Sequence, residues 1–404
     1  MTTVTAADCA GRTRLLILQS TPFCNIDCEY CYLPARSDRH RMPLEIVEAA
    51  VAFVFRYALP ALDFTIVWHA GEPLVVPVDW YRQAFATVRR AAPEGAHIPH
   101  SVQTNAMLVT DEWCAFFREN GVRVGVSLDG PARIHDLRRV TRSGKGTHAR
   151  VMKGIDTLRR NGVPFHVICV VGADTLAAAD ELVDFFLSED IRDVGFNIEE
   201  IEGVHRRSSL EQQGADAKFR TFFGRLLERA ATADPPLLVR EQRELLEALR
   251  HSQFGQLARN SQNEPFGFLS VSSRGGLYTF SPELAGLTDP RYGDMIVGQL
   301  PGADLPSILS SPEFLRMWSD IEAGTESCKR SCPYFDLCLG GAPANKLAEC
   351  GTFAARETMH CRLSHQAIAD AVLLELEAKL RGDAGQPGCA TASGSRSAPL
   401  RPAP

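Results

Sequence analysis

Short apolar runs alternate with longer amphipathic segments from Leu15 to about Thr232. Six of these runs predict strands, at Leu15–Gln19, Phe64–His69, His100–Thr104, Arg123–Leu128, Pro164–Val171 and Asp193–Asn197. Between them apolar residues recur at helical spacing, which predicts helices over Leu44–Tyr57, Val78–Ala92, Asp111–Asn120, Arg150–Asn161 and Thr175–Glu189. Six strand–helix units predict an α/β fold with a parallel sheet and right-handed crossovers. The pattern alone allows an open doubly wound sheet or a curved partial barrel.

The remainder of the chain has a different pattern. Residues after the sixth strand are mostly charged with helical character, a cysteine-containing stretch follows, and the end is rich in Gly, Ser, Ala and Pro. The last segment lacks apolar periodicity, which predicts disorder. We therefore expect a core domain over 10–235, a helical bridge over 236–264, a cysteine-containing domain over 265–380 that ends in a helix from Ser364 to about Leu380, and a disordered tail over 381–404.

Composition narrows the possible functions. The 404 residues are 45% hydrophobic and 23% charged, as in an ordinary soluble globular protein. The formal net charge is -6 without a long basic run, which argues against a nucleic-acid partner. The most apolar segment, Ala49 to Leu62, is broken by Arg56 and Pro60, so no membrane span is expected. Twelve cysteines without an evident signal peptide favour metal or cluster binding over disulfides, and a cytoplasmic location.

Three cysteines lie in one short loop directly after the first predicted strand. Cys24, Cys28 and Cys31 have the spacing Cys-x3-Cys-x2-Cys. Three thiolates this close can hold three corners of a four-iron four-sulfur cluster and leave the fourth iron open to a small molecule. A structural zinc site usually needs a fourth ligand at metal-finger spacing, and no fourth cysteine lies nearby. The spacing therefore favours a cluster with an open iron.

Other polar motifs follow the predicted strands in the same way. Gly71-Glu72 follows the second strand, Asn105 the third, Ser127 and Asp129 end the fourth, and Asn197 ends the sixth. Parallel sheets and barrels carry their chemistry at the carboxyl ends of their strands. All of these residues are therefore expected at one rim.

This order of motifs resembles the radical S-adenosylmethionine (SAM) enzymes. Tyr30 stands just before the third cysteine, as in that family, and Gly71-Glu72-Pro73 stands where the family carries a segment that binds the SAM amino group. Glycine lets backbone approach a ligand closely, and a carboxylate can pair with an ammonium. The resemblance implies SAM as cofactor, a partial (β/α)6 TIM-like barrel, and a [4Fe-4S] cluster with an open iron site on Cys24, Cys28 and Cys31. It implies SAM contacts by Tyr30, Gly71, Glu72, Pro73, Asn105, Ser127, Asp129, Arg139 and Asn197.

A second set of cysteines lies in the C-terminal part, at Cys328, Cys332, Cys338 and Cys361. Their spacings suit a closed four-thiolate site for structural zinc or an iron–sulfur cluster. The arrangement resembles SPASM domains, which extend radical SAM enzymes and usually provide cysteines for two auxiliary clusters. This chain has Ala342 where a further cysteine would stand, and no cysteine between Phe268 and Ser281. We expect a small SPASM-like domain with one auxiliary [4Fe-4S] cluster, and Cys350 as a spare thiol.

Four strings resemble one branch of the family, the cyclophane-forming radical SAM/SPASM peptide maturases of the GrrM type. They are Val67–Leu74, Arg139–His148, Asn197–His205 and Gly340–Lys346. The resemblance implies a short ribosomally made precursor peptide as substrate, and a crosslink between an aromatic ring carbon and the β-carbon of a nearby residue. An electron donor such as flavodoxin or ferredoxin is expected as a partner. A proton acceptor is needed when the ring regains aromaticity, and the predicted group is Glu199 or Glu200.

Several alternatives stay open from the sequence. A sulfatase-maturase-like enzyme that forms formylglycine shares the barrel and the extension, although such enzymes resemble the two-cluster version. Thioether, ether or arginine crosslinking are further possible peptide modifications. A non-catalytic scaffold with zinc on the C-terminal cysteines would cleave no SAM. Alternation points Glu200 and Glu202 to one side and Glu199 to the other, and a solvated acidic loop is the simpler interpretation of these residues.

Overall fold

The structure is a computed structural model. It describes residues 4–253 and 260–384, and it describes the side chains of all of these except 251–253 and 379–384. In these ranges none of the helices is long and apolar enough to cross a membrane.

The described strands form one sheet in the order β10-β9-β8-β1-β2-β3-β4-β5-β6-β7. Their bounds are β1 Thr13–Leu18, β2 Pro60–Trp68, β3 His100–Thr104, β4 Arg123–Ser127, β5 Phe165–Val171, β6 Asp193–Ile198, β7 Leu238–Val239, β8 Phe268–Val271, β9 Gly276–Thr279 and β10 Gly298–Gln299. The first six match the six predicted strands to within a few residues at each end. The strand pattern in the sequence was therefore confirmed.

The described α-helices alternate with β1 to β6 and then predominate in the C-terminal part. Their bounds are α1 Ala6–Cys9, α2 Leu44–Arg56, α3 Val78–Ala91, α4 Asp111–Glu119, α5 Ala132–Arg138, α6 His148–Arg160, α7 Ala179–Ser188, α8 Ala215–Thr232, α9 Arg240–Gln253, α10 Leu305–Ser310, α11 Pro312–Ser331, α12 Phe335–Cys338, α13 Pro343–Cys350 and α14 Ile368–Ala384. The five helices predicted between the strands correspond to α2, α3, α4, α6 and α7.

The strand order decides between the two architectures that the sequence allowed. β1 to β6 are parallel and lie side by side in chain order. A doubly wound sheet reverses its order at a switch point, whereas a (β/α) barrel keeps sequential order. The short β7 adds to β6 at one edge, and β8 adds to β1 at the other. The predicted α/β partial barrel is therefore confirmed.

The C-terminal part contributes strands that the sequence pattern did not predict. β8 pairs in parallel with β1, with Leu16 opposite Leu269, and continues into an antiparallel hairpin with β9. The sheet thus runs across the expected domain boundary at residue 265, and the domain bounds stay a prediction. Helix α9 lies in the expected bridge and contacts both β6 and α12.

The end of the described chain differs from the expectation in its limits. A π-helical stretch over Cys361–Ala367 leads into α14. The closing helix therefore begins three residues before Ser364 and continues through residues 381–384, which the sequence assigned to the tail. Residues 385–404, the rest of the tail predicted to be disordered, lie outside the described residues.

Cysteines outside the two predicted clusters behave mostly as small apolar residues. Cys114 of α4 and Cys169 of β5 are fully buried in the core, where a free cysteine packs as a small apolar residue. Cys9 is buried at the end of α1. Cys350 is exposed.

Candidate active site at the rim of the sheet

The carboxyl ends of the strands open into a cavity of about 520 Å³. Its wall includes Cys24, Cys28 and Cys31 from the loop after β1, together with residues that follow β2, β3, β4 and β6. The C-terminal part completes the wall with Glu283, Ala342, Asn345 and His360. Most of the residues predicted to lie at the rim therefore line one partly open cavity, whose wall is shared by both parts of the chain.

The three cysteines of the first loop face this cavity together. Burial raises the pKa of the Cys24 thiol to about 12 and that of Cys28 to about 11. A positive centre is therefore needed to hold them as thiolates, and metal binding supplies one. Among the described residues, no three His, Cys, Asp or Glu side chains are arranged around a single metal ion. An iron–sulfur cluster needs no such arrangement, because each cysteine binds a different iron.

The carboxylate of Glu72 is buried beside the cysteine loop and accepts three hydrogen bonds. They come from the backbone N–H of Leu74 (3.0 Å), the hydroxyl of Thr104 (2.6 Å) and the backbone N–H of Asn105 (2.8 Å). Burial raises its pKa, and no cation pairs with it in the described part of the chain. A carboxylate offers about four lone-pair sites. The ammonium of SAM would supply both the missing positive charge and the fourth hydrogen bond.

Gly71 explains how the chain reaches this position. Its φ is +95°, and a Cβ there would lie 2.2 Å from the backbone oxygen of Thr21. Only glycine accepts both the left-handed backbone and the close approach. The next residue's backbone N–H, that of Glu72, donates to the oxygen of Phe23 (2.9 Å). The turn therefore fixes the Glu72 loop against the segment that leads into the cysteines.

A buried ion pair joins the cysteine loop to the fourth strand. Arg139 Nε donates to Asp129 Oδ2 (2.9 Å), and the hydroxyl of Tyr30 donates to the same oxygen (2.5 Å). Arg139 also points a guanidinium nitrogen at Cys28 Sγ (3.7 Å). The positive charge of Arg139 holds the pKa of the Asp129 carboxyl below its usual range despite burial. Asp129 therefore positions Tyr30 and Arg139.

The remaining predicted SAM contacts divide into two groups. Those that line the cavity are Tyr30, Gly71, Glu72, Asn105, Ser127, Arg139 and Asn197. Asp129 and Pro73 do not line it. Pro73 opens a short 3-10 turn, and its carbonyl accepts from the hydroxyl of Tyr81 (3.2 Å). The SAM contacts stay a prediction, with Asp129 and Pro73 in supporting positions.

The carboxylate of Glu199, one of the two predicted proton acceptors, forms an ion pair with Arg138. Arg138 Nη1 lies 2.6 Å from its carboxylate, His205 lies 3.3 Å away, and Ser209 donates from its backbone and hydroxyl. Although burial opposes it, these partners hold the pKa of Glu199 low, at about 2. A group this acidic is a poor proton acceptor near neutral pH. The geometry therefore argues against Glu199 as the base.

Glu200, the other predicted acceptor, belongs to a group of three carboxylates on the cavity wall. Asn345 Nδ2 donates to Glu200 (2.8 Å), and Glu200 shares a side-chain hydrogen bond with Glu202. Glu283 is the third member. Burial and the charge of Glu200 raise the pKa of Glu283 to about 7, and the pKa of Glu202 is raised as well. Glu199, Glu200 and Glu202 all line the cavity, so the expected alternation, which turns Glu199 to the other side, stays a prediction.

The sequence analysis missed Glu283 because nothing marks it locally. It lies just beyond β9, after Ser281 and Pro282, and it reaches the cavity only because β8 and β9 extend the sheet. Glu202 lies close to the cysteine loop because the next residue, Gly203, packs against the backbone of Tyr32. A Cβ on Gly203 would lie 2.2 Å from the Tyr32 oxygen. Tyr32 directly follows the cysteine loop. The carboxylates and the predicted cluster therefore share one cavity.

The four C-terminal cysteines line a second, smaller cavity of about 260 Å³. They are contributed by the end of α11, the residue after it, the end of α12 and the start of the π-helical stretch, at Cys328, Cys332, Cys338 and Cys361. Burial raises the pKa of the Cys361 thiol to about 12. Cys350 does not line this cavity. The structure therefore brings together the four cysteines that the spacing grouped and leaves out the fifth.

One residue belongs to the walls of both cavities. Ala342, where the resemblance led us to look for a cysteine, borders the rim cavity and the four-cysteine cavity. The helix that begins next, α13, sends Asn345 to the first cavity and Lys346 to the second. The two sites are therefore neighbours across the start of α13.

Comparison with known proteins supports the resemblance of the motifs to those of radical SAM enzymes. The family model of the radical SAM superfamily matches residues 18–186. The uncharacterized protein sll1766 of Synechocystis sp. is 40% identical over 374 residues, which cover 92% of this chain and 94% of that protein. The serine-type anaerobic sulfatase-maturating enzyme of Bacteroides thetaiotaomicron is 36% identical over 210 residues. That match spans 48% of this chain and 50% of the relative, so the chain matches about half the length of the maturase.

Solved structures give the same fold. Native anSMEcpe with bound AdoMet and Cp18Cys peptide matches with a TM-score of 0.72 at 20% identity, covering 91% of this chain and 99% of that one. Streptococcus suis SuiB bound to precursor peptide SuiA matches with a TM-score of 0.61 at 15% identity, covering 87% and 76%. At these identities the likeness concerns the fold. Radical SAM proteins use a [4Fe-4S] cluster together with SAM, and they are enzymes, which contradicts the non-catalytic scaffold hypothesis. The rim site, the matched family model and the full-length relative together identify the chain as an enzyme of the radical SAM superfamily.

Proposed function

We propose that this enzyme crosslinks a short ribosomally made precursor peptide by joining an aromatic ring carbon to the β-carbon of a nearby residue, which gives a cyclophane. The observation that carries the proposal is the rim cavity of about 520 Å³, which combines the three-cysteine loop, a group of carboxylates and a direct border with a four-thiol site. Solved relatives of the same fold are described with bound peptides, namely Cp18Cys and SuiA. A peptide substrate is consistent with a cavity of this kind.

Cys24, Cys28 and Cys31 would hold the [4Fe-4S] cluster, and Glu72 would orient SAM by its amino group. When bound, the cluster and SAM together supply a 5′-deoxyadenosyl radical that takes one hydrogen atom from the peptide. The role of the chain is to hold the reacting carbon close and to exclude water, for which the rim cavity provides a concave, partly open pocket. The ordered network around Arg139 fixes Tyr30 and the Cys28 loop for this purpose.

The crosslink removes two hydrogens from the peptide. One leaves as the abstracted atom, and the other leaves the ring as a proton and an electron. Glu283 is the proton acceptor that the geometry favours, since burial and Glu200 hold its pKa at about 7, close to the working pH. Glu202 and Glu200 lie beside it and can share the proton. This assignment revises the prediction of Glu199, whose carboxylate stays bound to Arg138.

The electron needs an acceptor close to the rim cavity. Cys328, Cys332, Cys338 and Cys361 would hold one auxiliary [4Fe-4S] cluster, which supplies that acceptor when bound. Two observations support the fit. The four thiols line a cavity of about 260 Å³, and Ala342 belongs to its wall and to that of the rim cavity. The physiological reductant for SAM cleavage would be flavodoxin or ferredoxin.

Formylglycine formation is the second candidate, and a specific observation favours it. Sulfatase-maturating enzymes match slightly less than half of this chain, at 36% identity over 48% of it in the Bacteroides enzyme and 31% over 45% of it in the cysteine-type enzyme of Clostridium novyi. The match covers about half of each relative, so it does not by itself carry their substrate over to this chain. The substitution of Ala342 and the lack of cysteines between Phe268 and Ser281 favour the crosslinking reaction instead.

Co-expression of the enzyme with the short peptide encoded beside its gene tests the proposal. Both reactions can remove two hydrogens, because oxidation of a serine to an aldehyde has the same mass change as a crosslink. Tandem mass spectrometry and a hydrazide probe separate them. Blocked fragmentation between an aromatic residue and its neighbour, without hydrazide labelling, supports a cyclophane. Hydrazide labelling with normal fragmentation at that pair contradicts it and supports formylglycine.

A further inference from the structure

Lys346 is a buried cation aimed at the four-cysteine cavity. Its side chain is only 3% exposed and lines the same cavity as Cys328, Cys332, Cys338 and Cys361. Its Nζ lies 3.7 Å from Cys328 Sγ. The side chain passes Gly324 of α11, where a Cβ would stand 3.1 Å from Nζ, so this glycine leaves room for the ammonium.

The ammonium of Lys346 has no carboxylate partner. Within the described residues, no Asp or Glu oxygen forms an ion pair with it, while its helical neighbour Asn345 is occupied by Glu200 in the other cavity. A buried charge without a counterion is costly. Glu357 also lines this cavity, but its carboxylate accepts from Gln366 and forms no ion pair with Lys346 among the described residues. The anionic partner in contact with Lys346 is therefore the thiolate of Cys328, together with whatever the four thiolates bind. The charge of Lys346 therefore points to an anionic cluster.

We infer that Lys346 is the countercharge of the auxiliary cluster and raises its reduction potential. Net charge, hydrogen bonds to sulfur and solvent exposure set the potential of a cysteine-held cluster. A fixed positive charge beside Cys328 stabilises the reduced, more negative form. This inference rests on the proposed function, because a higher potential matters if the cluster receives the electron that leaves the crosslinked ring. Lys346 is thus a positioning residue that acts through Cys328.

The test measures the midpoint potential of the auxiliary cluster, not activity. The full-length chain with Cys24, Cys28 and Cys31 replaced by alanine retains a single cluster, which is titrated anaerobically and followed by electron paramagnetic resonance. Lys346→Met should lower the ratio of reduced to oxidised cluster at least tenfold at a fixed potential, which is about 59 mV for one electron. Lys346→Arg should restore most of it. Lys329→Met is the matched control: Lys329 follows Cys328 directly but is exposed, so solvent screens its charge and the ratio should barely change.

Each outcome decides the inference. An unchanged potential in Lys346→Met, with normal iron and sulfide content, overturns it. If that variant binds no cluster, Lys346→Gln is judged by the same criterion. Cluster loss in both with retention in Lys346→Arg supports a required charge, whereas loss in all three overturns the countercharge role. If the starting protein with the three alanines at Cys24, Cys28 and Cys31 contains zinc and no iron, the auxiliary cluster itself is excluded. That result contradicts the proposed function, whereas an unchanged potential contradicts only this inference.

Discussion

The two cysteine sites use the same side chain and differ in what surrounds it. The rim site has three thiols in a cavity of about 520 Å³ that also presents Glu72, Asn105 and Ser127 to a ligand. The C-terminal site has four thiols in about half that volume, with Lys346 as its buried cation. Three thiolates leave one iron open to a ligand, whereas four close the cluster. In the proposed function, the number of cysteines and the free space beside them therefore distinguish the site that binds SAM from the site that accepts electrons.

Replacing Cys24 by alanine should have the largest effect. The rim site then has two thiols where a three-point attachment is needed, so we expect deoxyadenosine release to fall to background, at least a thousandfold. Liquid chromatography of anaerobic reactions with SAM and dithionite measures it. Cys350→Ala, an exposed cysteine that lines neither cavity, is the control and should keep full activity. Continued release from the Cys24 variant would remove this loop from SAM cleavage.

Cys332→Ala should separate the two sites. Loss of the auxiliary cluster removes the electron acceptor, so crosslinked product should fall about a hundredfold while deoxyadenosine release falls less than tenfold. Iron analysis should show that one of two clusters is missing. The same Cys350→Ala variant serves as control. Crosslinking at the normal rate in Cys332→Ala would exclude a role for the second site in the reaction.

The pH dependence of crosslinking tests the proton acceptor. Since burial and Glu200 hold the pKa of Glu283 at about 7, the carboxylate gains its accepting form as pH rises through 7. Product formation at saturating SAM should therefore rise between pH 6 and 8 and then level off. Glu283→Gln should lower the rate by about tenfold to a hundredfold and flatten this profile, because general base catalysis contributes on that scale or more.

A matched control variant completes that test. Glu199→Gln, also on the cavity wall, should keep the pH profile of the parent enzyme because its pKa lies at about 2. An unchanged profile in Glu283→Gln, or a flattened one in Glu199→Gln, would move the base assignment away from Glu283.

Glu199→Gln should instead act on stability, and it has the smallest effect on chemistry. The pKa of Glu199 is about 2 when folded, against 4.5 ordinarily, because Arg138, His205 and Ser209 hold its charged form. This contribution is present above about pH 4.5 and is lost as pH falls towards 2. At neutral pH the variant should lose up to roughly 3.5 kcal/mol in free energy of unfolding, because the folded pKa lies about 2.5 below the ordinary value and each pKa unit corresponds to about 1.4 kcal/mol.

Denaturant titration at pH 7 and pH 3 measures this difference. Glu228→Gln is the control, since its ion pair with Arg225 is largely exposed and should contribute less than about 1 kcal/mol. Equal losses in free energy of unfolding in the two variants at pH 7 would show that the buried pair of Glu199 with Arg138 stabilises the fold no more than an exposed pair does.

The sequence predicted those features that depend on local pattern. Strand and helix periodicity gave β1 to β6, and strand ends gave the rim, because parallel strands bring their carboxyl ends to one edge. Cysteine spacing grouped the four C-terminal thiols correctly and left Cys350 aside.

Features that depend on contacts between residues far apart in the chain could not be predicted from the sequence. The partner of Glu199 is Arg138, 61 positions earlier, so no local pattern indicates that its carboxylate is neutralised. Glu283 reaches the cavity because β8 and β9 extend the sheet. These strands have four residues each, which is too short to show a recognisable alternation of apolar and polar residues. Lys346 looks like an ordinary helix residue until α11 and the cysteines enclose it.

The pairing of β8 with β1 has a consequence for how the enzyme can be divided. The strand that carries the three-cysteine loop has its outer edge covered by a strand from beyond residue 265. Truncation before β8 would strip that edge of its hydrogen-bond partners and expose a long apolar strand, which invites edge-to-edge aggregation. The radical SAM part of this chain is therefore not a module that can be exchanged on its own. Chimaeras with related radical SAM enzymes should exchange β1 and β8 together, so that both strands of this ladder come from one parent.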